Sequence, residues 1–379
     1  MILNMEKIYR YAFVAAAFCG LVLIYLWVSG STWPLGPWAV MLFLFLALGF
    51  RSSDLLKGFS YTTIIFAAVT AAMFYPEYFR TFGDYELKEL IVPLLIIIMF
   101  GMGTAMSFSD FVGVIKMPKG VLVGVICQFT IMPILGFSIA YMFGFPPEIA
   151  AGVILIGSSP SGLASNVMAY LAKANLALSV TLTAVATLLA PLMTPFLMKT
   201  LAGQLVPIDF LGMMWSIVKI VIIPIIAGLI FNKIFHGKAQ WLDKAMPIVS
   251  MAGIAIIITI ITALGRDDLL TIGIALVFAA IIHNAAGYLL GYWGCRLLKM
   301  PERDCRTIAL EVGMQNGGLA TGIAVEMGKE ATIGLAPAIF GPWMNISGSS
   351  LATWWRDKDP EDKSETQTVV KEHDEILQN

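Results

Sequence analysis

Residues 308–318 read IALEVGMQNGG: a carboxylate, Glu311, and a glycine-rich polar run set inside an apolar segment that continues to Met327. A second apolar segment, 149–171, is interrupted by GSSPSG at 157–162. Glycine and proline disfavour helix interiors, and backbone groups freed in a bilayer need protein, ion or water partners. Each stretch therefore predicts a helix broken midway. A carboxylate at the depth of Glu311 is costly unless compensated. No basic residue neighbours it in sequence, so the expected counter-charge is a bound metal ion or a proton.

Working outward, the 379-residue chain is 58% hydrophobic and only 13% charged. Soluble domains carry about 25% charged residues, so lipid is the expected solvent. Segments long enough or nearly long enough to cross a bilayer fall at 11–30, 36–50, 61–75, 90–108, 121–143 and 149–171. Further ones fall at 176–198, 210–231, 245–264, 270–298, 308–327 and 333–355. The first ends without a small-residue cleavage signal and reads as a retained helix. After Trp355 the composition turns to charge, and 356–379 is expected to be a disordered cytoplasmic tail.

Basic residues test this order independently, because cytoplasmic loops retain Lys and Arg. With the N-terminus inside, the outer loops hold only Arg80, Lys88, Lys199, Arg266 and Lys329 of the 24 Lys and Arg; Lys219 falls within a span. Both termini are thus expected in the cytoplasm, with the chain in the cell inner (plasma) membrane. A net charge of −1 gives no footprint for nucleic acid. Cys19, Cys127, Cys295 and Cys305 lack paired spacing and read as buried apolar residues. No transition metal, cofactor or obligate protein partner is indicated.

If the last ten spans form two halves of five, the interrupted helices are the fourth of each half. An odd number of spans inverts the second half relative to the first. Broken helices at matching places in inverted repeats point to a transport site near the midplane. Oxygen-bearing side chains gather around both breaks: Ser165 and Asn166 after one, Gln315 and Asn316 within the other. Ser179 and Thr183 share a helix face, and Gln128 lies inside an apolar helix. Hydroxyl, amide, carbonyl and carboxylate oxygens suit a hard cation, and a single carboxylate suits a monovalent one.

Residues 157–195, GSSPSGLASNVMAYLAKANLALSVTLTAVATLLAPLMTP, resemble the bile acid:sodium symporter family, as its bacterial members are built. So do EVGMQNGG at 311–318, WMNISG at 343–348, MFGMG at 99–103 and GVICQFTIMP at 124–133. The resemblance covers about residues 58–355. It implies an all-α polytopic membrane protein: ten helices in a 5+5 inverted repeat, with panel and core domains and two broken helices crossing in the core. Residues 1–55 would add an N-terminal transmembrane hairpin. Residues 56–355 would be the transporter unit, with repeats at about 56–200 and 208–355.

Carried over by motif, one sodium site would use Ser165, Asn166, Ser179, Thr183 and Glu311. A second would use Gln128, Glu311 and Gln315 with the backbone carbonyls of Val312 and Met314. The substrate cavity would involve Ser161, Leu163, Ala164, Asn316 and Asn345. Leu163 departs from the pattern, since many bacterial relatives have Thr there. The implied activity is sodium-coupled symport of a small organic anion, bile acid-like or a small carboxylate such as pantoate, by alternating access. A proton-coupled exporter of the same fold is the alternative. An intramembrane enzyme is a remote third, because His283 stands in a different segment from Ser158 and Ser161 and no triad is assembled.

Overall fold

The computed structural model describes residues 2–30, 34–53, 56–235, 240–358 and 360. It is helical throughout, apart from a two-residue hairpin pairing Thr81–Phe82 with Tyr85–Glu86, turned at Gly83 with φ of +61°. That hairpin is a small departure from an all-α chain. The tail expected to be disordered lies mostly outside the described residues.

The helices are α1 (Ile2–Val28), α2 (Leu35–Gly49), α3 (Lys57–Phe74), α4 (Ile91–Thr104), α5 (Pro118–Met142), α6 (Pro147–Gly157), α7 (Ala164–Leu171) and α8 (Leu176–Leu201). There follow α9 (Phe210–Phe235), α10 (Gln240–Leu264), α11 (Arg266–Leu297), α12 (Glu302–Gly313), α13 (Gly317–Glu326) and α14 (Leu335–Arg356). Eight of these elements are long and apolar enough to cross a membrane singly. The two expected breaks divide α6 from α7 and α12 from α13, so each pair makes one crossing. Helix α9 also contains a π segment at Val218–Ile222, carrying Lys219. Pro224 accounts for it by removing the N–H that would bond the carbonyl of residue 220.

Local chemistry sets the starts. Pro118 and Pro147 open α5 and α6, where their missing N–H costs nothing. Asn175 caps α8 by accepting from Leu178 N at 3.1 Å, and Asn316 caps α13 by accepting from Leu319 N at 3.0 Å.

Two packing groups follow. Helices α3, α4, α9 and α10 pack on one another, and α4 and α9 meet through glycine. A Cβ on Gly103 would lie 2.2 Å from the carbonyl oxygen of Ile225. A Cβ on Gly228 would lie 2.3 Å from the carbonyl oxygen of Phe100, so only glycine permits this spacing. Helices α5–α8 and α11–α14 form the second group, corresponding to panel and core respectively. Within it, α6 from Ile149 to Gly157 and α12 from Cys305 to Gly313 are buried on every side. A helix buried all round must be apolar or have its polar groups paired. Helix α1 packs along α2, which packs along α3, where Ser60 donates to Ala47 O at 2.8 Å. The far face of α1, from Tyr11 to Val28, remains exposed.

Candidate functional site

The two helix breaks cross and pair. Ser161 and Gln315 form an antiparallel bridge, Gly162 N donates to Met314 O at 3.0 Å, and Asn316 N donates to Pro160 O at 2.7 Å. Backbone groups released by one interruption thus satisfy those released by the other, as irregular backbone in a bilayer requires. Asn284 of α11 braces the crossing from behind, donating from Nδ2 to Gly313 O at 2.7 Å.

Glu311, 2% exposed, sits at the crossover. Its Oε2 lies 2.6 Å from Ser161 Oγ and 2.9 Å from Thr183 Oγ1; its Oε1 lies 2.5 Å from both Ser165 Oγ and Ser179 Oγ. The same hydroxyls reach further oxygens. Ser179 and Thr183 approach Asn166 Oδ1 at 2.8 and 3.1 Å, and Ser165 approaches Gly162 O at 2.7 Å. Seven oxygen–oxygen contacts of 2.5–3.1 Å are therefore shared among four hydroxyl protons. Protonating Glu311 would add one proton and still leave the cluster short. Oxygens gathered beyond their supply of protons are the donor set of a hard cation.

A second polar set lies beside the first. Gln128 donates from Nε2 to Ser159 O at 2.9 Å and to Gln315 Oε1 at 2.7 Å, and Gln315 donates from Nε2 to Val312 O at 2.6 Å. Gln128 Oε1 is buried without a partner among the described residues, an acceptor whose desolvation they leave uncompensated. No hydrogen bond joins Glu311 to Gln128 or Gln315 among the described residues. The carbonyl of Met314 is already held by Gly162 N, keeping one lone pair free.

On the other side of the crossing lies a cavity of about 210 Å³. Gly162, Leu163, Ala164, Gln315, Asn316 and Asn345 line it from the core, together with Gly317, Gly318 and Thr321 at the start of α13. The opposite wall is supplied by Ile65, Leu95, Met99, Met102 and Ile257 of α3, α4 and α10, with Ser250. Among the described residues, the lining contains no Lys, Arg or His. Of the residues named for a substrate cavity, Leu163, Ala164, Asn316 and Asn345 line this one. Ser161 does not: it is 1% exposed and turned onto Glu311 rather than into the cavity. The reason is its hydroxyl's bond to Glu311 Oε2, which draws the side chain to the carboxylate side of the crossing.

Sequence reasoning also missed the panel wall and Thr321. Their isoleucines and methionines carry no mark distinguishing a cavity wall from a lipid-facing surface. His283 is fully buried, with Nε2 3.1 Å from Met132 O, an interhelical contact between α11 and α5 and not a bond to a serine.

A polytopic helical membrane protein whose two broken helices cross over a buried carboxylate, beside a cavity between two helix groups, belongs to the class of secondary transporters. The particular family follows from similarity. The model of the Sodium Bile acid symporter family matches residues 92–272. An uncharacterized sodium-dependent transporter of Bacillus subtilis, YocS, is 42% identical over 303 residues, covering 80% of this chain and 92% of the relative. A probable chloroplastic sodium/metabolite cotransporter of Arabidopsis thaliana, BASS1, is 34% identical over 266 residues, covering 70% of this chain and 66% of the relative. A rice counterpart, BASS2, is 34% identical over 261 residues, covering 69% and 62%. The chain belongs to the Sodium Bile acid symporter family.

Proposed function

We propose that this protein is a sodium-coupled symporter that carries a small organic anion across the cell's plasma membrane by alternating access. The observation that carries the reading is the oxygen cluster of Glu311, Ser161, Ser165, Asn166, Ser179 and Thr183, with more close contacts than protons. A bound cation resolves that shortage, whereas one added proton does not. This favours sodium coupling over the proton-coupled alternative. The orphan Gln128 Oε1, with Gln315 and the carbonyls of Val312 and Met314, supports a second ion beside the first.

With sodium in place, Glu311 is neutralised and a second ion leaves net positive charge behind the crossing. The cavity then faces this charge and the N-terminal ends of α7 and α13, whose dipoles favour an anion. Its apolar far wall and its volume of about 210 Å³ support a small carboxylate with a hydrocarbon body over a steroid. The absence of cationic side chains from the lining makes anion affinity depend on the ions. That dependence is the coupling. Residues 56–355 would then form the transporting unit, α3, α4, α9 and α10 rocking against the core, with residues 1–55 an added hairpin and both termini cytoplasmic.

The test is uptake of radiolabelled small carboxylates into proteoliposomes, with sodium or choline outside and at several pH values. Saturable uptake that requires sodium across that pH range is expected. Saturable uptake driven equally well in choline by a proton gradient would overturn the reading.

A further inference from the structure

A second cavity, of about 510 Å³, lies outside the transport path, between α11, α14 and the start of α12. Helix α14 separates the two: Pro342, Met344 and Asn345 face the first, while Trp343, Ser347 and Leu351 face the second. The groove is walled by Ala285, Tyr288, Tyr292, Trp343, Leu351 and Trp354. Its apolar surface therefore runs beside helix faces exposed at Leu289, Trp293 and Leu297, where lipid is expected.

One end of the groove is deep and the other is basic. At the deep end Tyr288 OH lies 3.2 Å from Ser347 Oγ, Ser347 bonds Asn284, and Asn284 holds the Gly313 carbonyl of the crossover. Trp343 Nε1 is buried against this region with no acceptor among the described residues. At the mouth, Lys358 Nζ lies 3.4 Å from the centroid of the exposed Trp354 ring, and Arg306 Cζ lies 5.8 Å from that of Trp355. Glu302 is shared by Arg306 at 3.0 Å and Arg296 at 3.7 Å, and Asp357 pairs with Arg356 at 3.2 Å. Among the described residues, three exposed cations, Arg296, Arg356 and Lys358, thus stand around the mouth with Glu302 and Asp357, while Arg306 is buried and held by Glu302 and by the carbonyls of Ala172, Trp355 and Lys358. Tryptophan and tyrosine beside surplus cations mark a membrane–water boundary with affinity for negative headgroups.

We propose that this groove binds an anionic phospholipid of the adjoining leaflet, its headgroup at Lys358 and one acyl chain lying between α11 and α14 behind the crossover. The choice rests on charge at the mouth, aromatic residues at the boundary and an apolar channel leading inward. It does not depend on the transport reading.

Native mass spectrometry of the full chain, titrated with phosphatidylglycerol or phosphatidylcholine of matched chains, tests it. The native chain should bind phosphatidylglycerol about five-fold more tightly, the effect of one basic residue near a headgroup. Lys358→Gln, a change at an exposed side chain, should bring the two lipids to parity. Ala285→Trp, which fills the groove from its lipid-exposed side, should remove one bound copy of either lipid. Parity in the native chain, or unchanged lipid binding in both variants, overturns the proposal. So does binding that occurs only after residues 361–379 are deleted, since the tail would then be the occupant.

Discussion

Glu311 and Ser161 together define what a single side chain does here. If Ser161 supplies an oxygen to the ion cluster, Ser161→Ala should weaken the apparent sodium affinity roughly ten-fold, the cost of one hydrogen-bonding partner to a charged group. The KM for the anion at saturating sodium should stay nearly constant; uptake kinetics at varied sodium separate the two. Glu311→Gln keeps the shape, removes the charge and places amide protons among the hydroxyls. It should abolish sodium-dependent stabilisation, which for the native chain is ~2.7 kcal/mol at a hundred-fold excess over Kd. Thermal melts in sodium and potassium chloride measure it. An equal sodium shift in Glu311→Gln would remove the cluster from the ion pathway. Most of this site was legible because each member is polar within an apolar segment, where polarity needs a reason. The side on which Ser161 points was not, because it is set by its bond to Glu311, 150 residues away. Ile65 and Ile257 were illegible for the opposite reason: nothing separates them from apolar neighbours that face lipid.

At the scale of elements, the breaks were readable from glycine and proline, whereas the partner of each break was not. Sequence shows that α6 and α12 must stop; it does not show that Gly162 and Asn316 will bond the other segment. The MFGMG stretch likewise marked a place without giving its use. In the fold it is the contact at which α4 crosses α9, with Gly103 against Ile225 and Gly228 against Phe100. Apolar association has little driving force inside lipid, so close backbone approach is what holds such a pair. Gly103→Val should therefore force α4 and α9 apart and cost about 1–3 kcal/mol, as overpacking does. The melting temperature in detergent should fall with or without sodium, since this contact lies outside the oxygen cluster at Glu311. A loss confined to the sodium-bound form would instead tie the α4–α9 contact to the ion site.

Across the whole molecule, the two crossing pairs are fastened at opposite ends. At one end Glu148, opening α6, bonds Lys329 at 2.6 Å and Thr332 at 2.6 Å in the turn between α13 and α14. At the other, Asn175, between α7 and α8, bonds Asp304 at 2.8 Å and Thr307 at 2.9 Å near the start of α12. The two ties exchange roles under an inverted repeat, and both lie within the core, so they favour its moving as one body. The hydrogen bonds from Lys329 and Thr332 hold the Glu148 carboxyl below its ordinary value of 4.5. A depressed folded-state value means that the stabilisation is full above the unfolded value and is lost as pH falls through the folded one. The native chain should therefore lose melting temperature below about pH 4.5, and Glu148→Gln should flatten part of that loss while lowering stability at neutral pH. Identical acid profiles would show that this tie contributes nothing.

On the proposed symport reading, rigid movement of the core would also fix what crosses the membrane with it. The proposed two sodium ions with one monoanion would carry one net positive charge, worth ~2.3 kcal/mol per 100 mV. Clamping proteoliposomes at an inside-negative potential should raise uptake and an inside-positive potential should suppress it. Sodium flux should run at twice the anion flux. Thr183→Ala, weakening the cluster at Glu311, should shift the sodium concentration needed without changing that ratio. Flux of one sodium per anion, indifferent to potential, would reduce the oxygen sets around Glu311 and Gln128 to a single coupled ion.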